Sequence, residues 1–299
     1  MQSDVIAIIV TFNPSCKTLE AVLNALGSQS DVVIIDNGSS NSWEVKQLCE
    51  GVVGYRVYFK PMSQNLGLAT AQNIGINWGI ESGYRFGVLF DQDSIPAVNF
   101  ISVQKRFYES VSETGRNVGA IGCVAHDRRS GEEYPVCTYS GMVMKRRYSP
   151  YQTSFNPAFL IASGCFFALE IVNVVGGMRD DFFIDYVDVE WSFRISSFGY
   201  ELLVCNEAYL SHEIGDAFIN ILKRRVSVHG PLRRYYLTRN CMFMLGISHV
   251  PIFYKIREFL LLFLRYLVMV TVSKKRFLVT KFFFRGIFDG IRSQGGAFK

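Results

Sequence analysis

The chain has 299 residues, 49% of them hydrophobic and 19% charged, a composition that allows a large buried core and excludes an intrinsically disordered protein. Its net charge of +5 is uneven, because residues 250–299 hold ten Lys or Arg and two acids, so this segment carries +8 and residues 1–249 carry −3. The acidic body argues against a nucleic-acid-binding protein, which usually presents a wide basic surface. The basic end indicates an anionic partner surface.

The seven cysteines are scattered, and none belongs to a CxxC pair. Their odd number, and an N-terminus that runs directly into a strand-like segment instead of a signal peptide, predict a reduced, cytoplasmic protein. The spacing of zinc ligands is missing, so no zinc site is expected.

Strand-like and helix-like segments alternate over the first third of the chain. The predicted strands are 5–11, 31–35, 52–59 and 86–90, and the predicted helices are 17–26, 43–49 and 69–82. This rhythm predicts βαβ units, and hence an α/β protein with a mostly parallel, Rossmann-like sheet flanked by helices. Ligands of such sheets bind beyond the carboxyl ends of the strands. Four polar clusters are expected there: Thr11-Phe12-Asn13, Asp36-Asn37, Asn65-Leu66-Gly67 and Asp91-Gln92-Asp93.

The rest of the chain is less regular. We predict a buried strand with a glycine bulge over 159–168, a helix within 181–197, and short strands at 202–204 and 208–210. The expected organisation is a domain of residues 1–240 in two halves, 1–115 and 116–240. C-terminal membrane-associating helices follow over 241–299.

The C-terminal segment is apolar but contains charged residues, among them Arg257, Glu258 and Arg265. A membrane-spanning helix needs about 20 mostly uncharged residues. The pattern therefore favours helices that lie in a membrane interface, and the alternative is that these helices cap the globular core.

Two segments carry residues suited to catalysis. Asp91 and Asp93 follow an apolar strand, where they can bind a hard cation such as Mg²⁺ whose other ligands come from a diphosphate. Three acids, Asp185, Asp188 and Glu190, lie in an acidic and aromatic segment, Phe182–Arg194, where a carboxylate can act as a general base and Trp191 can stack on a sugar. The alternatives are ordinary loop acids for the first segment, and for the second an acidic helix N-terminus in which Glu190 pairs with Arg194.

Other candidate residues have plain alternatives. Asp36 can accept hydrogen bonds from a base or ribose, or can serve only its turn. Gly67 permits close approach of a ligand. His212 is a candidate metal ligand, although a lone histidine is more often structural. A basic and aromatic cluster, with Arg234, Tyr236 and Arg239, can bind diphosphate oxygens or, as the rival interpretation, nucleic acid.

Five segments occur in an order that resembles family 2 glycosyltransferases of the GT-A fold: Val10–Pro14, Val33–Ser39, Asn65–Asn73, Asp91–Ser94 and Phe183–Trp191. The resemblance covers about residues 4–292, and it implies that residues 1–115 form a nucleotide-sugar-binding half and residues 116–240 an acceptor-binding half. Within the family, the segments Arg234–Asn240 and Arg285–Gly290 look like bacterial rhamnosyltransferases of surface polysaccharide (O-antigen) assembly.

The resemblance implies an inverting transfer with dTDP-β-L-rhamnose as donor and a lipid-linked glycan as acceptor, on the cytoplasmic face of the bacterial inner membrane. It implies Asp188 as the base, and Asp93 and His212 as ligands of Mg²⁺ or Mn²⁺. The residues implied for the nucleotide sugar are Thr11, Phe12, Asn13, Asp36, Asn65, Gly67, Asp91 and Gln92. Phe12 stands where the family commonly has Tyr.

Two alternatives stay open at this point. In the first alternative, the enzyme transfers a different sugar, such as galactose or galactofuranose, from a UDP-sugar donor. In the second, the chain is a non-catalytic binding module docked on a membrane.

Overall fold

The computed structural model describes residues 3–299 except 28, 141, 149–155, 213–217, 222–223 and 228–229, and describes the backbone alone for residues 140, 218–221 and 224–227. Strands and helices alternate through the first half. Their order is β1 (Val5–Thr11), α1 (Cys16–Leu26), β2 (Asp31–Asp36), α2 (Ser42–Glu50), β3 (Val57–Pro61), α3 (Leu68–Glu81), β4 (Phe86–Asp91), β5 (Ile95–Pro96), α4 (Phe100–Ser112) and β6 (Val118–Asp127).

The second half begins with short strands and ends in three helices. The elements are β7 (Val136–Ser140), β8 (Val143–Arg147), β9 (Cys165–Ala168), α5 (Ile171–Val175), a 3₁₀ turn (Asp180–Phe182), α6 (Val187–Ser197), β10 (Glu201–His212), β11 (Phe218–Ile221), β12 (Arg224–Ser227), α7 (Pro231–Gly246), α8 (Ile252–Val272) and α9 (Arg276–Ile291).

One eight-stranded sheet, in the order β3-β2-β1-β4-β9-β6-β10-β5, organises the molecule. The pairs β1–β2, β1–β4, β2–β3 and β6–β10 are parallel, whereas β9 and β5 run antiparallel to their neighbours. Two hairpins, β7–β8 and β11–β12, lie outside the sheet. The predicted α/β class with a mostly parallel sheet and flanking helices is confirmed.

The sheet is buried on both faces. Successive residues of β1 alternate between two apolar clusters: Ile6 and Ile8 pack with residues of α3, α6 and α7, whereas Ala7 and Ile9 pack with residues of α1, α2 and α4. Side chains of a strand point alternately to opposite faces of the sheet. Because helices cover both faces of this sheet, nearly every position of β1 is buried, and a continuous apolar sequence suits such a strand.

Three predicted boundaries are wrong. β3 begins at Val57 because the chain bends at residues 54 and 55. Of the predicted strand 159–168, only β9 pairs with neighbours. The two short strands near His212 are a single strand, β10, with a register shift between Cys205 and Tyr209.

The three C-terminal helices pack on one another and on the body. Phe243, Met244 and Tyr254 belong to the same buried cluster as the sheet residues, and Leu262 and Phe283 form a smaller cluster with Cys241. Across the described residues, none of the helices combines the length and the apolar character that crossing a bilayer requires. All seven cysteines are free thiols. The division at residue 240 stays a prediction.

Candidate functional site

A cavity of about 760 Å³ opens at the carboxyl ends of β1 and β4, the edge at which ligands of parallel sheets bind. It brings together residues that are far apart in the sequence. Those that the sequence predicts are Phe12, Asn65, Gly67, Asp91, Gln92, Asp93, Asp188 and His212. The structure thus places the candidate metal ligand Asp93 and the candidate base Asp188 in the walls of one cavity.

Asp91, Asp93 and His212 form a cluster whose ligand atoms all lie within 4.8 Å of one another. Nε2 of His212 is 3.7 Å from an Asp91 carboxylate oxygen, and Nδ1 is 3.9 Å from an Asp93 oxygen. Two carboxylates and one imidazole suit Mg²⁺ or Mn²⁺. Both ions bind carboxylate oxygens, and Mn²⁺ also binds imidazole nitrogen. The residues present therefore fit a divalent cation, with Asp91 as a third candidate ligand.

A buried chain of hydroxyls stands behind this cluster. The backbone N–H of Asp91 donates to Oγ of Ser163 (3.2 Å), whose hydroxyl donates to Oγ of Ser94 (2.7 Å). Ser94 Oγ lies 2.7 Å from Nδ1 of His212. If Nδ1 carries the proton, its N–H donates a hydrogen bond to Ser94 Oγ. The lone pair of Nε2 is then free to face a cation, which is the usual arrangement of a metal-binding histidine.

Thr11 and Asp36 lie behind the cavity wall, and both are fully buried. The Thr11 hydroxyl donates to Asp36 Oδ1 (2.9 Å), and Ser39 Oγ donates to the same oxygen. Asp36 Oδ2 has no hydrogen-bond partner among the described residues. Asn13 accepts from Ser40 through its side chain. The structure does not place Thr11, Asn13 or Asp36 in the cavity lining, so their contact with a nucleotide stays a prediction.

Gln92 and Asn65 tie the strand ends together. Phe12 N–H donates to Gln92 Oε1 (2.8 Å), which fixes the end of β1 beside the Asp91–Asp93 turn. Asn65 Oδ1 accepts from Asn37 Nδ2 (3.1 Å) and from the N–H of Gly67 (2.9 Å). These hydrogen bonds within the protein fix the relative positions of the strand ends that line the cavity.

Asp188 is at the start of α6, and its environment changes its acidity. Burial, above all, and to a lesser extent the negative charge of Asp91 raise the pKa of Asp188 to about 6, against the lowering effect of the N–H groups of Val189 and Ala162. Those two N–H groups donate to the carboxylate at 2.9 and 3.2 Å. A carboxylate with a pKa near the working pH is suited to general base catalysis.

The predicted diphosphate or acceptor set needs correction, since the structure does not place Trp191, Arg234, Tyr236 or Arg239 in the cavity lining. Trp191 is 2% exposed, packs against Phe167 and donates to the Gly176 carbonyl. A ring enclosed by protein on both faces cannot stack on a sugar.

The other three residues of that set are buried too. Arg239 is fully buried, and it donates to three backbone carbonyls and lies against three aromatic rings. Tyr236 stacks on Phe183, and its hydroxyl accepts from the N–H of Phe298. Arg234 is 4% exposed, and burial lowers the pKa of its guanidinium.

Arg233, which belongs to the predicted basic and aromatic cluster but not to the residues selected from it, lines the cavity and forms an ion pair with Asp185 (3.1 Å). Successive residues of an α-helix point about 100° apart, so Arg233 faces the cavity while Arg234 faces the core. The rotation of about 100° between neighbouring helical residues was the sequence signal that could have distinguished the cavity-facing arginine from the buried one. Arg129, after β6, also lines the cavity, and no sequence signal singled it out.

Comparisons with known proteins agree with this geometry. The model of the family described as Glycosyl transferase family 2 matches residues 6–169. A protein of Shigella flexneri, described as "dTDP-rhamnosyl transferase RfbF", is 31% identical over 298 residues, which cover 99% of this chain and 98% of that protein.

Two solved structures have a similar fold. The mannosyltransferase PcManGT of Pyrobaculum calidifontis, in complex with GDP-Man and Mn²⁺, is 12% identical with a TM-score of 0.58, over 97% of this chain and 88% of that one. GalNAc-T7, with UDP, GalNAc and Mn²⁺, is 15% identical with a TM-score of 0.56, over 71% of this chain and 46% of that one. The chain thus spans about half of GalNAc-T7. At this identity the likeness shows the fold, which is GT-A.

The candidate metal site makes a direct prediction. Asp93→Asn should weaken Mn²⁺ binding to the full-length protein roughly tenfold or more, because one of three ligands loses its charge. Electron paramagnetic resonance of free Mn²⁺ during a titration measures this. The matched control is Asp185→Asn, which removes one charge from the same cavity but from a carboxylate that is paired with Arg233. Equal weakening by both variants would show that overall charge, and no specific ligand set, attracts the ion.

Proposed function

This chain belongs to glycosyl transferase family 2 and is a glycosyltransferase, and on that premise we propose that it moves rhamnose from dTDP-L-rhamnose to a lipid-linked oligosaccharide in bacterial polysaccharide (O-antigen) synthesis. The proposed reaction inverts the anomeric centre and depends on a divalent metal. The relative of Shigella flexneri named as a dTDP-rhamnosyl transferase supports the donor. The observation that carries the chemistry is that Asp188 and the Asp91–Asp93–His212 cluster line one cavity.

In the proposed mechanism, the acceptor hydroxyl loses its proton to Asp188 as its oxygen attacks the anomeric carbon. The new carbon–oxygen bond forms on one face of the sugar while the bond to the nucleoside diphosphate breaks on the other, and the electron pair leaves with the diphosphate. Such an in-line displacement requires base and leaving group to flank one space. A cation bound by Asp91, Asp93 and His212 would neutralise charge on the diphosphate.

The donor is tested with purified full-length protein, Mn²⁺ and a lipid-linked acceptor. Among dTDP-L-rhamnose, UDP-galactose and UDP-galactofuranose, we expect turnover with the first to exceed the others at least a hundredfold, measured by mass spectrometry of the product. Preferred turnover of a UDP-sugar would replace rhamnose by that sugar. No turnover and no donor hydrolysis in the whole panel would favour a binding module.

The role of Asp188 is tested by substitution and by pH. Asp188→Asn should lower kcat about a thousandfold or more, because the amide accepts no proton, while the nucleotide affinity measured by calorimetry stays within threefold. In the wild type, kcat/KM should fall about tenfold per pH unit below pH 6, since Asp188 is protonated below its pKa of about 6, and should be flat just above.

Asp180→Asn is the matched control for that substitution. Asp180 lies in the same segment, and its Oδ1 accepts hydrogen bonds from Thr70 and Asn73, which an asparagine oxygen also accepts. This variant should keep its activity. Near-normal kcat in Asp188→Asn would contradict the base assignment.

The exposed faces of α8 and α9 support a second part of the proposal, peripheral contact with the cytoplasmic face of the bacterial inner membrane. On α8, Tyr254, Glu258, Leu262 and Met269 are buried, whereas the opposite face exposes Ile256, Leu260, Leu264 and Leu267. On α9, the exposed apolar residues Phe277, Phe284, Phe288 and Ile291 also share one face. We call these two faces together the apolar tail surface. Apolar faces of this extent usually mark an interaction site.

Charge around the apolar tail surface favours an anionic bilayer as its partner. Lys274, Lys275 and Arg276, at the turn between the two helices, are exposed, as are Lys281 and Arg285 on α9. Each basic residue near an anionic leaflet contributes about 1 kcal/mol to binding. The exposed leucines of α8 add to this binding free energy when they insert into the bilayer.

A vesicle assay tests this contact. The double variant Leu260→Gln/Leu264→Gln should reduce co-sedimentation with vesicles rich in phosphatidylglycerol at least tenfold, because two leucines lose about 1.5–3 kcal/mol each of burial. The control, Val53→Gln/Val98→Gln, changes two exposed residues elsewhere and should bind normally. If both double variants sediment as the wild type does, the apolar tail surface has another partner.

A further inference from the structure

The segment that leads into Asp188 has an unusual backbone. Phe183, Asp185 and Tyr186 have φ angles of 64°, 67° and 64°, a region that side-chain-bearing residues rarely occupy. The Ile184 N–H donates to the Phe182 carbonyl at 2.7 Å, and Phe183, with φ 64° and ψ −62°, is the centre of a strained γ-turn. We call residues 182–186 the base loop.

Strain of this kind costs about 1–3 kcal/mol per residue and persists only where the surroundings impose it. Tyr186 is also the residue that precedes the first turn of α6. The conformation of the base loop therefore decides where Asp188, two residues later, points. A loop that relaxed to ordinary φ angles would start α6 in another direction.

Asn240, on α7, supplies donors to this loop. The Nδ2 atom of its fully buried side-chain amide lies 2.9 Å from the Phe182 carbonyl oxygen, 2.7 Å from that of Ile184 and 2.9 Å from that of Asp185, so its two N–H groups are shared among three acceptors. Carbonyls that converge in this way need donors, because an unpaired buried carbonyl costs about 1–3 kcal/mol. Two N–H groups of one side chain thus serve three carbonyls that the left-handed conformation turns to the same side, and the Phe182 carbonyl also accepts from Arg239.

Arg239 orients that amide. Its Nε donates to Asn240 Oδ1 (3.0 Å), so the NH₂ group of Asn240 must face the base loop. The Nη2 atom of Arg239 also donates to the Phe182 carbonyl (2.8 Å) and the Asp181 carbonyl (3.1 Å).

The other side of the base loop rests on the start of α3. The Leu68 N–H donates to the Phe183 carbonyl at 2.6 Å. A Cβ atom at Gly67 would lie 2.6 Å from the Phe183 ring, so glycine is required for this contact. The first N–H of α3 is thereby used by the loop.

We propose that Asn240 is a positioning residue for glycosyl transfer: with Arg239 behind it, it holds the base loop in the left-handed conformation that points Asp188 into the cavity. The role follows from where its two N–H groups point, since the three carbonyls within hydrogen-bond distance of Nδ2 all belong to the base loop. This inference rests on the proposed function for its catalytic consequence, while the conformational part is independent of activity.

Asn240→Asp tests the inference in the full-length protein, because aspartate has the same shape but no N–H to donate. Hydrogen exchange of the peptide over residues 181–188 should become at least tenfold faster. With the donor that the wild type uses, kcat should fall about a hundredfold, the effect of a misplaced catalytic group, with the donor KM within threefold.

Thr238→Ala is the matched control. Its buried hydroxyl donates to the Arg234 carbonyl of its own helix, so this variant should leave both the exchange of 181–188 and kcat close to wild type. If Asn240→Asp does not fold, Arg239→Lys, which keeps the charge but loses the Nε donor, carries the same test.

Unchanged exchange of 181–188 in a folded variant would overturn the inference, and so would equal effects in the Thr238→Ala control. Faster exchange with unchanged kcat would also overturn the positioning role. If Asp188→Asn remains active, the proposed base fails by itself, and the exchange measurement still reports whether Asn240 holds the loop.

Discussion

The parallel pairing of β1 with β4 is the constraint on which the site depends. It sets Val10 opposite Asp91, so the chain leaves both strands at the same edge of the sheet. Gln92 then bridges to the backbone of Phe12, which fixes the two strand ends side by side. Because both strands are buried on two faces by apolar helices, their register cannot slip without exposing the core.

The cavity at that edge gathers more negative than positive charge. Asp91, Asp93, Asp185 and Asp188 line it, against Arg129 and Arg233. Such a site favours a divalent cation and, through burial and the charge of Asp91, raises the pKa of Asp188 to about 6. The electrostatics that suit a metal-bound diphosphate thus also suit the base, and the two roles need no separate pockets.

The C-terminal helices connect the apolar tail surface to the site. Glu258, on the buried face of α8, accepts from the Tyr186 hydroxyl (2.8 Å) and from Arg265 (2.9 Å). Tyr186 itself lines the cavity and belongs to the base loop. One helix, α8, therefore contacts the loop before the base with its inner face and presents an exposed apolar outer face, for which membrane contact is proposed.

Local pattern by itself determined the βαβ order and the polar strand ends, Asp93 among them, because strand periodicity and turn residues act over a few neighbours. Asp188 was distinguished from the acids beside it only by the family resemblance. What only the tertiary structure decided depends on orientation and distant contacts. Arg233 faces the cavity and Arg234 the core, Trp191 is enclosed by the sheet, and residues 161–163, predicted as strand, line the cavity because β9 begins only at Cys165. Asn240 reaches the base loop across 55 residues or more of sequence, and no local rule relates positions so far apart.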